Sequence, residues 1–115
     1  MVVNMNDRIL QQPPIPIEDI HKIKAYAKDN GMKVYELTDE ILEWFFSNYK
    51  KQRLLLLSSP GGFGSKPSTK YWSLWIREDL YHRIQSLSKE QGTSQNRIIY
   101  TALKHFMEQK IPQAS

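Results

Sequence analysis

A weak internal repeat is the feature that most constrains how this chain can fold. At an offset of 61 residues, and without gaps, similar residues recur in the two halves of the chain. The matches include Ile15 with Ile76, Ile23 with Ile84, Lys28 with Lys89, Gly31 with Gly92, Leu42 with Leu103 and Phe45 with Phe106. One half is too small to bury a stable core alone, so each copy of the repeat needs a second copy, from its own chain or from another.

The two copies are separated by a stretch from Ser58 to Thr69 that is rich in glycine, proline and serine. Neither a helix nor a β-ladder persists in such a sequence. We therefore expect an N-terminal unit over residues 1–53, a linker over 54–69 and a C-terminal unit over 70–115. Leu54 to Leu57 is too apolar to be left exposed, and it either extends the last helix of the first copy or covers a hydrophobic seam between the copies.

The second copy begins with a segment that is typical of a β-strand. Side chains alternate from Lys70 to Ile76 with the period of a strand that has one buried face. One face carries Trp72, Leu74 and Ile76, and the other carries Tyr71, Ser73 and Trp75. We expect the first of these faces to pack on the core.

Two helices are predicted after this strand. An apolar stripe at helical spacing indicates the first helix, which we expect Gly92 to end in the left-handed conformation. Thr93 or Ser94 is expected to cap the second helix. The apolar residues of that helix follow the 3.6-residue period until Pro112.

The first copy repeats both helices around a turn at Asn30-Gly31, but its strand is less regular. Pro13 and Pro14 lack the backbone donor that a β-ladder requires, so Leu10 to Ile15 is expected to be at best a short or edge strand. Pro16 suits an early position of the following helix, where its missing donor is not needed.

The distribution of charge narrows the function classes. The chain has a net charge of +4, but residues 1–47 hold five basic and eight acidic residues, whereas residues 48–115 hold eleven and four. A basic half joined to an acidic half favours contact of one half with a polyanion, of which nucleic acid is the commonest inside a cell. The alternative is a solvated basic surface without a partner.

Other classes of site find little support. The chain has no cysteine, which excludes disulfides and thiolate chemistry. The histidines are isolated, no nucleophile has a nearby base, and the glycine-rich stretch departs from a phosphate-binding loop, so we expect no metal site, no cofactor and no catalytic residue. No apolar run could span a membrane and the N-terminus lacks a secretory pattern, so we expect a cytoplasmic protein.

The order of strand, helix, turn and helix, with Gly92-Thr93-Ser94 between the helices, resembles the ribbon-helix-helix family of DNA-binding proteins, which includes the Arc and methionine repressors. The resemblance covers Lys70 to Gln109 and extends at a lower level to Ile15 to Tyr49. It implies a mainly α fold with a short two-stranded antiparallel ribbon, in a tandem arrangement whose first copy is degenerate. In this family the ribbon enters the major groove of double-stranded DNA, where alternate side chains reach base edges.

By this resemblance, Tyr71, Ser73 and Trp75 contact bases, together with Gln12 of the first copy. The N-terminus of the last helix holds a phosphate group through its dipole and unpaired N–H groups. The residues expected at the DNA phosphates are Lys70, Arg77, Ser94, Gln95, Asn96 and Arg97. The sequence departs from the family because two of the three base-reading positions in its second strand are aromatic.

We therefore expect a non-enzymatic transcriptional repressor that recognises a short, partly symmetric operator. A plasmid-transfer or other accessory DNA-binding protein shares this chemistry. A different class is a protein-binding module such as an antitoxin, in which the acidic N-terminal half and the aromatic ribbon face serve a protein partner. The ribbon forms either within one chain, as a pseudo-dimer, or between the Lys70 to Ile76 strands of a homodimer, which Pro13 and Pro14 favour.

Overall fold

The protein has four helices and four short strands among the residues that the structure describes. A computed structural model describes residues 7–57 and 68–111, so most of the predicted linker lies outside the described residues. The elements are β1 (Arg8–Gln11), β2 (Pro14–Pro16), α1 (Ile17–Asp29), α2 (Val34–Asn48), β3 (Thr69–Tyr71), β4 (Leu74–Arg77), α3 (Glu78–Gln91) and α4 (Gln95–Lys110). Thr69, which was expected in the linker, opens β3.

The strands form an antiparallel ribbon within a single chain. β1 pairs with β4, and β2 pairs with β3. The residue numbers of any two directly opposite residues sum to 85 in both strand pairs, so the two pairs share one register. The Trp72 N–H donates to the Pro13 carbonyl at 3.0 Å, in the same register, between the two pairs. The two copies of the repeat therefore pair with each other, and the expected pairing of two Lys70 to Ile76 strands from different chains is corrected.

The prolines fit this ribbon because alternate residues of an antiparallel strand direct their backbone N–H groups away from the partner. The Ile17 N–H donates to the Ser68 carbonyl at 2.9 Å, and the Pro13 carbonyl also accepts from the opposite strand. Odd-numbered residues of the first strand thus face the partner. Pro14 and Pro16 lie at outward positions where no donor is needed, and only Pro13 removes a ladder bond.

The offset found in the sequence also relates the elements of the fold. Adding 61 to the residue numbers of α1 gives 78–90, which lie within α3. Adding 61 to those of α2 gives 95–109, which lie within α4. Gln12 and Ser73 differ by 61 and also face each other across the ribbon, where Gln12 Nε2 donates to Ser73 Oγ at 3.0 Å. This pair therefore lies on a pseudo-twofold axis.

Most of the predicted turns and caps are confirmed. Gly31 has a φ of 63° and Gly92 a φ of 61°, a left-handed conformation that glycine adopts at little cost. Ser94 caps α4, since its Oγ accepts from the Arg97 N–H at 3.1 Å. Pro16 differs from expectation, because it ends β2 and is the N-cap residue of α1 rather than a residue inside that helix.

Both halves contribute to one hydrophobic core, which lies between the inner face of the ribbon and the four helices. Leu74 and Ile76 are at most 1% exposed and Trp72 is 8% exposed, whereas Tyr71 is 72% exposed. The predicted alternation of this strand is therefore confirmed. The opposite face of the ribbon lies in solvent.

Pairing within one chain can be tested with a cysteine pair. Leu10 lies directly opposite Trp75, at a position where the two backbones do not exchange hydrogen bonds and the Cα atoms are close enough for a disulfide. The chain has no other cysteine. We expect Leu10→Cys/Trp75→Cys to form an intramolecular disulfide in dilute protein under mild oxidation, measured by mass spectrometry and non-reducing electrophoresis.

The matched control is Leu10→Cys/Tyr71→Cys, because Tyr71 shares the face of Trp75 but lies opposite Pro14. About 13 Å separates such positions along a strand, which is too far for a disulfide. A covalent dimer as the main product of the first variant would contradict pairing within the chain.

Candidate nucleic-acid interface

The outer face of the ribbon brings together the four residues predicted to contact bases. Its side chains are Leu10, Gln12 and Pro14 from the first strand and Tyr71, Ser73 and Trp75 from the second. Leu10 and Trp75 face each other and are 39% and 38% exposed, while Pro14 faces the more exposed Tyr71. The face thus has three cross-strand rows, with a polar row between two apolar ones.

The N-terminus of α2 borders this face. A cleft of about 170 Å³ between them is lined by Val34, Tyr35, Thr38, Ser73, Leu74 and Trp75. Lys33, the N-cap residue of α2, is exposed, and its Nζ lies 5.9 Å from the centre of the Tyr35 ring. A cation therefore lies beside the ribbon. Sequence reasoning missed Lys33, although the offset of 61 makes it the counterpart of Ser94.

At the end of the ribbon, Arg8 lies directly opposite Arg77. The guanidinium of Arg8 forms two hydrogen bonds with the Asp39 carboxylate, at 2.6 and 3.0 Å, and donates to the Trp75 carbonyl at 3.1 Å. It also lies 4.7 Å from the centre of the Tyr35 ring. The side chains of Arg8 and Asp39 are 11% and 15% exposed, so this pair is largely shielded from water.

Arg77, which was expected at a phosphate group, is also held by carboxylates. Its guanidinium binds Asp79 at the start of α3 and Glu43 of α2. These hydrogen bonds raise the pKa of Arg77, and the guanidinium holds the pKa of the Asp79 carboxyl below its usual range. The charge of Arg77 is therefore balanced by acids of its own chain.

The N-terminal turn of α4 differs in charge from that of α2. The first turn of α4 contains no acidic residue, and it includes the half-buried Gln95 and the exposed Asn96 after the Ser94 cap. The first turn of α2 contains Glu36, whose Oε1 accepts from the Lys33 N–H at 2.9 Å. A helix N-terminus attracts anions through its dipole and free N–H groups. The turn of α4 is thus the better suited of the two to a phosphate.

Lys70 and Arg97 do not lie on the outer face. Strand alternation places Lys70 on the same side as Trp72, where it is exposed near the end of the ribbon. Arg97 donates from Nε to the Leu57 carbonyl at 2.8 Å and from Nη2 to the Leu56 carbonyl at 3.2 Å. Its guanidinium therefore holds the chain that follows α2.

Residues 52–57, a turn at Gln52 and Arg53 followed by a segment without regular secondary structure, form a strap along α4. Leu57 N–H donates to Thr101 Oγ1 at 2.9 Å, the Leu55 carbonyl lies 2.8 Å from His105 Nε2, and Gln52 pairs with Gln109 at 2.9 Å. The α4 residues that hold the strap are spaced by four: Arg97, Thr101, His105 and Gln109. The strap is therefore not a continuation of helix α2. The sequence signal for the strap was the polar stripe of α4, whose residues recur at i, i+4 spacing on one face of that helix.

Comparisons of the chain with protein-family models, with curated proteins and with solved structures found no match. Within residues 7–57 and 68–111 there is no group of three side chains that could hold a metal ion. No helix in those two ranges is both long and apolar enough to cross a membrane. The main candidate binding surface in the described ranges is the exposed ribbon face with the charges around it.

The carboxylate of Asp39 is predicted to stabilise the end of the ribbon. Asp39→Asn leaves Arg8 opposite Arg77 without its own counter-charge, so we expect the free energy of unfolding to fall by about 1–3 kcal/mol. Urea denaturation followed by circular dichroism measures this change.

The matched control for this substitution is Glu40→Gln, which removes the neighbouring, exposed carboxylate of the same helix. We expect the control to change the unfolding free energy by less than about 0.5 kcal/mol. Equal losses in the two variants would show that general charge, rather than the pairing of Arg8, determines the effect.

Proposed function

We propose that this protein is a sequence-specific regulator of transcription that binds double-stranded DNA as a tandem ribbon-helix-helix unit. The observation that carries the proposal is a two-stranded ribbon with one face buried on the core and the other, from Leu10 to Pro14 and from Tyr71 to Trp75, open to solvent. The major groove of B-form DNA is wide enough to admit a two-stranded β-ribbon.

The shape of the ribbon supports insertion into a groove. Its outer side chains form a single layer, and the helices that support it lie on the opposite face around the shared core. Such an arrangement presents side chains to base edges while the helices remain outside the groove. The role of the helices is then to fix the ribbon and to supply contacts to phosphate groups.

The charges next to the ribbon support the same partner. Val34 and Tyr35 at the N-terminus of α2 line a cleft with Trp75, and the exposed Lys33 precedes them, with its Nζ 5.9 Å from the centre of the Tyr35 ring. The first turn of α4 is free of acidic residues. A phosphate group at that turn would accept from backbone N–H groups near Asn96. In this proposal Lys33 takes the place of Arg77 as a cation for the DNA backbone.

A protein-binding module is the second candidate, because a specific observation favours it. Leu10, Pro14, Tyr71 and Trp75 make much of the outer face apolar, and exposed apolar surface is also typical of protein interfaces. An accessory role at a DNA transfer origin, by contrast, uses the same ribbon chemistry as a repressor. The two DNA-binding roles differ in target, whereas the protein-binding role differs in the class of partner.

Selection of bound duplexes from a random DNA pool is the experiment that tests the proposal. An enriched motif whose binding weakens steeply with salt supports it, because neutralised phosphates release counterions. Absence of any enriched duplex at low salt would instead favour the protein-binding module. The location of the enriched motif, at promoters or at transfer origins, then distinguishes a repressor from an accessory protein.

Lys33 provides a quantitative prediction for the selected duplex. We expect Lys33→Ala to weaken specific and nonspecific binding alike, and to reduce the slope of log affinity against log salt by about one unit. Fluorescence anisotropy over a salt series measures both effects. The matched control is Lys24→Ala, an exposed lysine in the middle of α1, for which we expect an unchanged slope. An unchanged slope for Lys33→Ala would place Lys33 outside the DNA footprint.

A further inference from the structure

Besides the terminal Pro16/Thr69 pair, in which Pro16 is buried, the outer side of the ribbon has eight positions in four cross-strand rows, which are the three rows of the exposed face and an arginine row at its end. Strand alternation assigns them, and the register gives the opposite residue in each row. The rows are Arg8 with Arg77, Leu10 with Trp75, Gln12 with Ser73, and Pro14 with Tyr71. The rows differ in the hydrogen-bonding and apolar groups that they present to a base pair.

The arginine row is already occupied by acids of the same chain. Asp39 binds the guanidinium of Arg8 through both of its oxygens. Asp79 and Glu43 bind that of Arg77. Guanine is most often recognised by an arginine that donates two hydrogen bonds to its O6 and N7. The guanidinium groups of both side chains suited to that contact are therefore already bound by carboxylates of the same chain.

The central row is partly satisfied by its own hydrogen bond. Gln12 Nε2 donates one of its two amide hydrogens to Ser73 Oγ at 3.0 Å, which leaves the second amide hydrogen, the glutamine carbonyl and the serine hydroxyl hydrogen for a partner. Glutamine recognises adenine by donating from its amide nitrogen and accepting at its oxygen. One amide hydrogen and the carbonyl of Gln12 therefore remain for a base edge, so the central row is a polar row that can contact a base by hydrogen bonds.

The Leu10/Trp75 and Pro14/Tyr71 rows are apolar, and all of their side chains except the half-buried Pro14 are exposed. Leu10 and Trp75 are 39% and 38% exposed, and Tyr71 is 72% exposed beside Pro14. In the major groove the C5-methyl group of thymine is the apolar feature that distinguishes one base pair from another. Contact of an apolar side chain with that methyl group removes apolar surface of both from water.

We infer that the ribbon recognises duplexes through the C5-methyl groups of thymine, which lie against the Leu10/Trp75 and Pro14/Tyr71 rows. This inference rests on the proposed DNA-binding function, and it names the chemical group by which the protein selects its DNA site. The two rows are four residues apart, or about 13 Å along a strand. That length corresponds to about four base-pair steps at 3.4 Å each. The recognised site therefore carries thymines in two groups, one on each side of a centre that faces the polar Gln12/Ser73 row.

Replacement of thymine by uracil in the selected duplex is the direct test, because it removes only the methyl group and leaves base pairing unchanged. Burial of one methyl group corresponds to about fourfold in affinity, so we expect about fifteenfold weaker binding if two methyl contacts are lost. Equal affinity of the thymine and uracil duplexes would overturn the inference while leaving the DNA-binding function intact. Absence of any enriched duplex would overturn both.

A second arm adds the methyl group back on a different base. Exchange of a contacted thymine–adenine pair for cytosine–guanine should weaken binding, and 5-methylcytosine at the same position should restore part of the loss. Its methyl group occupies the corresponding place in the major groove. A selected motif of guanines whose affinity is unaffected by uracil or by 5-methylcytosine would overturn the inference.

Substitutions in the protein locate the methyl contacts. We expect Leu10→Ala and Trp75→Ala each to reduce the ratio of thymine to uracil affinity toward one, and Ser73→Ala, the matched control in the polar row, to keep that ratio. Circular dichroism of each variant confirms that it is folded, and Leu10→Ala makes the smaller change. An unchanged ratio of thymine to uracil affinity in a folded Leu10→Ala protein would show that the Leu10/Trp75 row does not contact a thymine methyl group.

Discussion

Antiparallel pairing between the two halves of the chain is the contact on which the rest of the structure depends. It places Ile15, Leu74 and Ile76 on one side of the ribbon, where each is at most 1% exposed. α2 of the first half packs on β4 and α4 of the second. Because each half completes the core of the other, the helices and the exposed face of the ribbon are fixed by the same pairing.

The acidic character of the N-terminal half has a structural explanation in this arrangement. Glu43 of α2 binds Arg77 of the second half, and Asp19 of α1, which is buried, lies 3.2 Å from Lys104 of α4. These two pairs join the halves through opposite charge. Asp19 is 4% exposed, and a buried charge is costly to leave unpaired, so its pairing with Lys104 favours the correct assembly of the two halves.

The parts of the fold that depend on local sequence were predictable. Ser94 capped its helix and Gly92 ended one as expected, because both effects act within a single turn. The alternation from Lys70 to Ile76 predicted which face is buried. The partner of that strand was not predictable in the same way, since the cost of a proline depends on whether its missing N–H faces the other strand.

The surroundings of the ribbon were less predictable than its face. Tyr71, Ser73, Trp75 and Gln12 share the outer surface, because strand alternation alone determines which side they occupy. Some partners of Arg77 and Arg97 depend on contacts between distant parts of the chain, since Glu43 binds Arg77 and the strap carbonyls accept from Arg97. Asp79, by contrast, lies two residues from Arg77, and the polar stripe of α4 includes Arg97. A positive charge near a helix start therefore did not indicate which groups of the chain bind it.

A ribbon built within one chain also changes how occupancy of a binding site depends on protein concentration. When identical strands from two chains must meet, the competent species forms in proportion to the square of the chain concentration while monomer predominates. Here both strands belong to one molecule, so the competent species increases linearly and remains present at high dilution. The strands are also free to differ, as Leu10 differs from Tyr71 and Pro14 from Trp75 at equivalent positions. A surface of this kind has a direction, because its two ends carry different side chains.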